Sequence, residues 1–247
     1  CRNRSPSRCS RDSNLLPKEL GCAMKFTFLH TIALLLIPGV VLAEMETDHQ
    51  LWTSSGIRYR SAKGWTIQGT QNIRFDKNVS SFQSFKPQLE LSHSPYQWLE
   101  IGSGYRFVHE ANKDSKLATA HRYHAQVVFE RKWDGVKLSY RLRYQKKQKT
   151  EDLDVTTRFR NRIKLSYDTR TLFSPLLSAE SFVDETIATR KTRITLGCAA
   201  KLSKSYRLVA GYQHQTYMDK DETVRIFLLE FEYRIPTKKG TGEQEKI

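Results

Sequence analysis

The sequence predicts an all-β chain, a closed antiparallel up-and-down transmembrane β-barrel of 10–12 strands. Three observations predict it. Segments of about ten residues alternate apolar and polar with a period of two. The N-terminal region carries the pattern of an export signal. The turns alternate between short and long along the chain.

The alternation comes first because it fixes the fold class. It runs through Leu51–Arg60, Trp65–Phe75, Val79–Ser92, Trp98–Val108, His121–Lys132, Val136–Gln145, Thr157–Tyr167, Pro175–Val183, Thr192–Leu202, Tyr206–Tyr217 and Val224–Ile235. In "VKLSYRLRYQ" the residues Val136, Leu138, Tyr140, Leu142 and Tyr144 face one way, and Lys137, Ser139, Arg141, Arg143 and Gln145 face the other. In "TRFRNRIKLSY" the cations Arg158, Arg160, Arg162 and Lys164 share one face, opposite Phe159, Ile163 and Leu165. A helix would scatter such a row around its circumference, whereas a strand sorts it into a cationic and an oily face. No helical period and no linker divides the chain after residue 43. Eleven segments sit awkwardly with the even strand number of bacterial barrels. Either one segment is not a strand, a short strand is hidden, or Leu51–Arg60 occupies the lumen.

The export signal lies at "MKFTFLHTIALLLIPGVVLAEMETD". Lys25 gives a positive start, Phe26 to Leu36 an apolar stretch too short for a permanent helical span, and Val41-Leu42-Ala43 a small-residue cleavage site. Met24–Ala43 therefore reads as a signal peptide. Residues 1–23 read as an upstream extension foreign to the exported protein, and 44–247 as the barrel with a short polar tail at 236–247. Of the four cysteines, Cys1, Cys9 and Cys22 precede Met24, which leaves Cys198 and no disulfide after cleavage.

The turns follow. "SAKG", "SHSPYQ", "KWDG" and "LSKS" are short, whereas "HEANKDSKLATA", "QKKQKTEDLDVT", "VDETIATRK" and "MDKDETV" are longer and charged. Trp65, Trp98, Trp133 and Tyr206 cluster beside the short turns, and Phe75, Phe107, Tyr144 and Tyr217 toward the far ends. Two aromatic belts at membrane interfaces would place both sets.

Charge decides the function classes. The chain has 41 Lys and Arg against 26 Asp and Glu. Removing residues 1–43, with six basic and two acidic residues, leaves 35 against 24. The 38% of hydrophobic residues argues against a helical membrane protein, but a barrel needs only every second residue apolar. A soluble lipocalin-like barrel would point the apolar row inward. Export, strand length and turn asymmetry favour the membrane, with the cations facing the axis. The polar faces then carry Arg58, Arg60, Arg74, Lys86, Arg106, Arg122, Lys132, Lys137, Arg141, Arg143, Arg158, Arg160, Arg162, Lys164, Arg193, Lys201, Arg207, Arg225 and Arg234. They carry acids at Glu90, Glu100, Glu130, Glu180, Glu230 and Glu232. So many cations require water, anions or paired carboxylates around them.

The segments "LWTSSGIRYRSAKGWTIQGTQNIRFDKN", "FRNRIKLSY", "PLLSAESFVDE" and "TRITLGCAAKLSKSYRLVAGYQHQ" resemble the bacterial family catalogued as domain of unknown function twenty-four ninety. The resemblance spans Leu51 to Tyr233 and implies an outer-membrane β-barrel without assigned activity. Trp52, Arg162, Glu180 and Arg193 fall on its recurring strand positions. The tail "PTKKGTGEQEKI" departs from the aromatic ending common in such barrels.

No Gly-rich phosphate loop, metal pair or nucleophile motif occurs, so no enzyme and no cofactor are expected. His121 and His124 lie on opposite faces of a strand and cannot share a metal. Ser92-His93-Ser94 reads as a turn. His109, Glu110, Asp114, Asp219, Asp221 and Glu222 read as solvated loop tips. The expected function is a porin-like passive channel whose lumen residues Arg141, Arg143, Arg158, Arg160, Arg162, Lys164, Arg193 and Arg207 favour anionic or polar solutes. The alternative is a non-conducting structural or surface-interaction barrel filled by Arg–Glu networks. Expected partners are outer-membrane lipid, small anionic solutes and the barrel-assembly machinery. Nucleic acid is not expected, since no clustered basic patch is present and the chain is exported.

Overall fold

The strands form because the alternating sequence can satisfy two different surroundings at once only in extended backbone. The computed structural model describes residues 48–111, 116–151, 154–169, 171–220 and 222–237. The expected upstream extension, signal peptide and the tail beyond 237 lie outside them. Eleven strands follow in order: β1 (Asp48–Arg60), β2 (Trp65–Asp76), β3 (Ser81–Tyr96), β4 (Leu99–Ala111), β5 (Leu117–Trp133), β6 (Val136–Lys149), β7 (Val155–Tyr167), β8 (Phe173–Val183), β9 (Thr189–Lys201), β10 (Tyr206–Tyr217) and β11 (Glu222–Ile235). Each pairs antiparallel with the next.

The odd number is resolved at the seam. β1 pairs with β11 in parallel, from Asp48 against Val224 to Tyr59 against Ile235, and this closes the barrel. No segment is spurious and β1 does not enter the lumen. Closure leaves no unpaired edge, which removes the usual liability of an edge strand.

The expected asymmetry of the turns is not present. The connections at one end, 61–64, 97–98, 134–135, 168–172 and 202–205, run from two to five residues. Those at the other end, 77–80, 112–116, 150–154, 184–188 and 218–221, run from four to five. The charged stretches 109–120 and 145–156, expected to be long loops, are mostly strand. The ladder continues from Val108 to Ala111 and from Gln145 to Lys149, where apolar and polar residues no longer separate by face and alternation gives no signal. His109, Glu110 and Glu222 are accordingly strand residues, and Ser92-His93-Ser94 lies within β3.

Turn chemistry is visible at two places. Asp134 and Gly135 both have positive φ, at 41° and 79°, which suits the tight two-residue hairpin between β5 and β6. Between β8 and β9, Asp184 Oδ1 accepts from Thr186 N at 2.9 Å, Thr186 Oγ1 at 2.7 Å and Ala188 N at 3.0 Å, and Oδ2 pairs with Arg190. The Thr186 hydroxyl, and then the Arg190 guanidinium, hold the Asp184 carboxyl down at about 2. A depressed carboxylate contributes its stability above its unfolded value and loses it as pH falls through the folded one. The order of this turn should therefore fade between about pH 4 and about pH 2, as followed by amide exchange at Thr186 and Ala188. Asp184→Asn should abolish that step.

The two faces are inverted relative to a water-soluble protein. The large apolar side chains are outside and exposed, among them Leu89 at 59%, Ile163 at 54% and Ile194 at 56%. The buried set is mostly polar and includes Lys86, Gln126, Arg141, Arg143, Gln145, Glu180, Gln213 and Gln215. Leu176, Ala199 and Val209 form a small apolar cluster. Along the outward rows, Asp, Glu, Lys and Arg of the described strands occur only toward the ends, at Arg131, Lys146, Arg190 and Arg225. Between those positions the outer surface is a charge-free band.

Candidate basic lumen

Alternation and closure together send one row of every strand to the axis. The result is a cavity of about 1270 Å3, lined from Ala111, Lys149 and Thr156 at one end to Asp134, Gly135 and Arg234 at the other. All eight residues expected to form the lumen site line it: Arg141, Arg143, Arg158, Arg160, Arg162, Lys164, Arg193 and Arg207. Twenty Lys and Arg and nine Asp and Glu share this wall, so positive charge predominates by eleven.

Three residues reverse their expected positions. Arg225 shares the outward parity of Phe227, Leu229 and Phe231, because Val224 and Ile226 are the buried inward residues there. Tyr217 shares the inward parity of Gln213 and Gln215 and lines the cavity. Glu110 is a lumen carboxylate. Arg60 is not among the cavity residues. Lys147, Lys149 and Lys191 line the wall although sequence reasoning placed them in loops. Continuing the period of two past Gln145, and backward from Arg193, would have found them.

Three carboxylates organise the wall. Glu90 on β3 lies 3.0 Å from His124 Nε2 on β5 and accepts from Gln126 Nε2 at 2.6 Å and Arg143 Nη2 at 3.1 Å. The reach from β5 to β3 passes over β4 at Gly104. A Cβ on Gly104 would stand 2.5 Å from the His124 ring, so the missing side chain makes the bridge sterically possible. Glu110 on β4 accepts from Lys86 Nζ at 3.0 Å and pairs with Lys147. Glu180 on β8 accepts from Arg141 Nη2 at 2.7 Å and from Arg160 Nη2 at 2.8 and 2.9 Å, with Arg193 Nη1 at 3.6 Å. In register Glu180 stands between Arg162 and Arg193, yet its close bonds run to Arg141 and Arg160. Side-chain length decides this, since long arginines reach past their strand neighbours.

Aromatic faces hold further cations. The guanidinium of Arg74 lies 3.5 Å above the Trp52 ring and that of Arg193 4.9 Å from it. Arg160, Arg193 and Lys191 stand 4.5, 4.5 and 4.3 Å from the Phe182 ring. A desolvated cation over a ring gains about 2 kcal/mol. Trp52, Arg162, Glu180 and Arg193, the four positions carrying the family resemblance, thus converge on one part of the wall.

Residues 49–225 match a family described as "Protein of unknown function (DUF2490)". The chain belongs to this family. None of the curated proteins matches the chain. Membership supplies no chemistry, so the lumen has to be read from its own geometry. Among the described residues no group of three or more His, Cys, Asp or Glu could hold a metal ion. His121 stacks outside on Tyr105, while His124 lies inside on Glu90.

Proposed function

We propose that this protein is an outer-membrane β-barrel whose basic lumen passes small anionic or polar solutes by passive diffusion. The observation carrying this reading is the cationic excess along one cavity reaching both ends of the barrel. A ring of cations lowers the entry barrier for anions and raises it for cations. The charge-free outer band and the closed hydrogen bonding support the membrane location, because a bilayer tolerates a sheet only without open edges. On this reading the chain is exported, is not an enzyme, and meets outer-membrane lipid and the barrel-assembly machinery.

The dimensions limit the solute. A strand of thirteen residues tilted by about 40° rises roughly 33 Å, so the cavity has a mean cross-section of about 40 Å2, a circle roughly 7 Å wide. That admits small ions and single small metabolites and excludes folded polymers and duplex nucleic acid.

Planar-bilayer recording of the refolded barrel tests the proposal. The expected result is a small conductance with anion preference that falls when Arg141 and Arg162 are replaced by glutamine. A cation preference would overturn it. An inserted barrel that shifts on boiling in gels yet carries no current would favour the second reading, a non-conducting barrel. The specific observation behind that reading is the pair of networks on Glu90 and Glu180, which tie side chains from β3, β5, β6, β7, β8 and β9 across the interior.

A further inference from the structure

The cations are not evenly neutralised. Glu180 is the carboxylate within reach of Arg141, Arg160 and Arg193, one negative charge against three positive ones. Beside them stand Lys191, over the Phe182 ring at 4.3 Å and the Tyr217 ring at 5.2 Å, and Arg74, over Trp52. Neither Lys191 nor Arg74 has a carboxylate within ion-pair distance among the described residues. Arg74, Arg160, Lys191 and Arg193 come from three strands, β2, β7 and β9, and are held side by side by the Trp52 and Phe182 rings. Arg193 contacts both rings, so the cluster is continuous.

The donors in this cluster also exceed the acceptors. Arg74 Nε, Arg141 Nε and Arg160 Nε are buried and have no acceptor among the described residues. Buried donors nearly always find partners, and an unmatched guanidinium N–H in a cluster of like charge calls for an anionic acceptor. A monovalent halide offers one centre. A phosphate-type anion offers several oxygens at the spacing of a guanidinium fork and carries enough charge to face several cations at once.

We propose that this part of the lumen, between Trp52 and Phe182, is a saturable binding site for a soluble, multiply charged phosphate-type anion. The site would slow and select such solutes within the passage. The inference rests on the channel reading only in that the solute must reach the site from the barrel mouth.

Inorganic pyrophosphate is the probe. The full-length barrel, refolded in micelles of an uncharged detergent, is titrated calorimetrically at constant ionic strength with chloride as the balancing anion. The expected result is saturable binding of one pyrophosphate per barrel, with chloride a poor competitor. Lys191→Gln and Arg74→Gln should each weaken binding about ten-fold, the size of one lost charge-assisted hydrogen bond. Arg131→Gln removes the same charge from the outer surface and should leave binding unchanged. Heat-modifiable gel mobility verifies folding of each variant, and Lys191→Gln serves alone should Arg74→Gln fail that check.

Non-saturable uptake, equal competition by chloride, or an equal effect of Arg131→Gln would overturn the site. Anion-selective conductance with no saturable pyrophosphate binding removes the site and leaves the channel. Saturable binding in a barrel that carries no current keeps the site and removes the channel.

Discussion

Replacing Glu180 with glutamine should lower the unfolding free energy of the barrel by about 3–5 kcal/mol, the cost of breaking a buried ion network by removing one partner. Glutamine keeps the shape and removes the charge, so packing changes little. Arg141 and Arg160 would be left with side chains 10% and 11% exposed and no carboxylate beside them among the described residues. Urea unfolding followed by tryptophan fluorescence gives the measurement. A loss below about 1 kcal/mol would mean that lumen water already screens these arginines as it does at a surface. The double variant Glu180→Gln with Arg141→Gln should recover part of the loss, because residues in one network are not additive.

The second large effect lies on the opposite face. Leu89→Arg should destabilise the barrel by about 2–4 kcal/mol in lipid vesicles, the cost of a cation on the lipid face at the bilayer midplane. Leu89 is in mid-β3, outward and 59% exposed. Its neighbour on β2 is Gly69, which has open space where a Cβ would stand, so little packing is lost. In water the same substitution would be neutral or favourable, since it replaces an exposed apolar group by a hydrated one. Comparing unfolding in vesicles for Leu89→Arg and Leu89→Ala separates the charge from the truncation. Equal stability of the two variants would remove the outer band from hydrocarbon and with it the membrane location.

The candidate lumen was legible in sequence because it follows from local parity. Arg158, Arg160, Arg162 and Lys164 alternate with Phe159, Ile163 and Leu165, and no fold that pairs this strand can send them to the same face. Where the contrast between rows fades, the reading failed. Beyond Gln145 both rows are polar, so in sequence Lys147 and Lys149 resemble loop. Near Val224 the contrast inverts, so charge alone points Arg225 inward, whereas Val224 and Ile226 are the buried residues. Tyr217 was placed by its chemistry, although its parity with Gln213 and Gln215 fixes it inside. Glu110 lies two residues beyond Val108, where the clear alternation ends, and the ladders to Ser84 and Ala118 reveal it as strand.

By itself the sequence determined a barrel of 10–12 strands, their approximate extents, and which rows are oily and which cationic, because these depend on near neighbours and a period of two. The tertiary structure alone decided how an odd barrel closes, since the parallel contact of β1 with β11 joins residues far apart in the chain. It also decided which arginines share which glutamate. Long side chains choose partners through space across two or three strands, as Arg141 does with Glu180, and no periodicity along one strand carries that information.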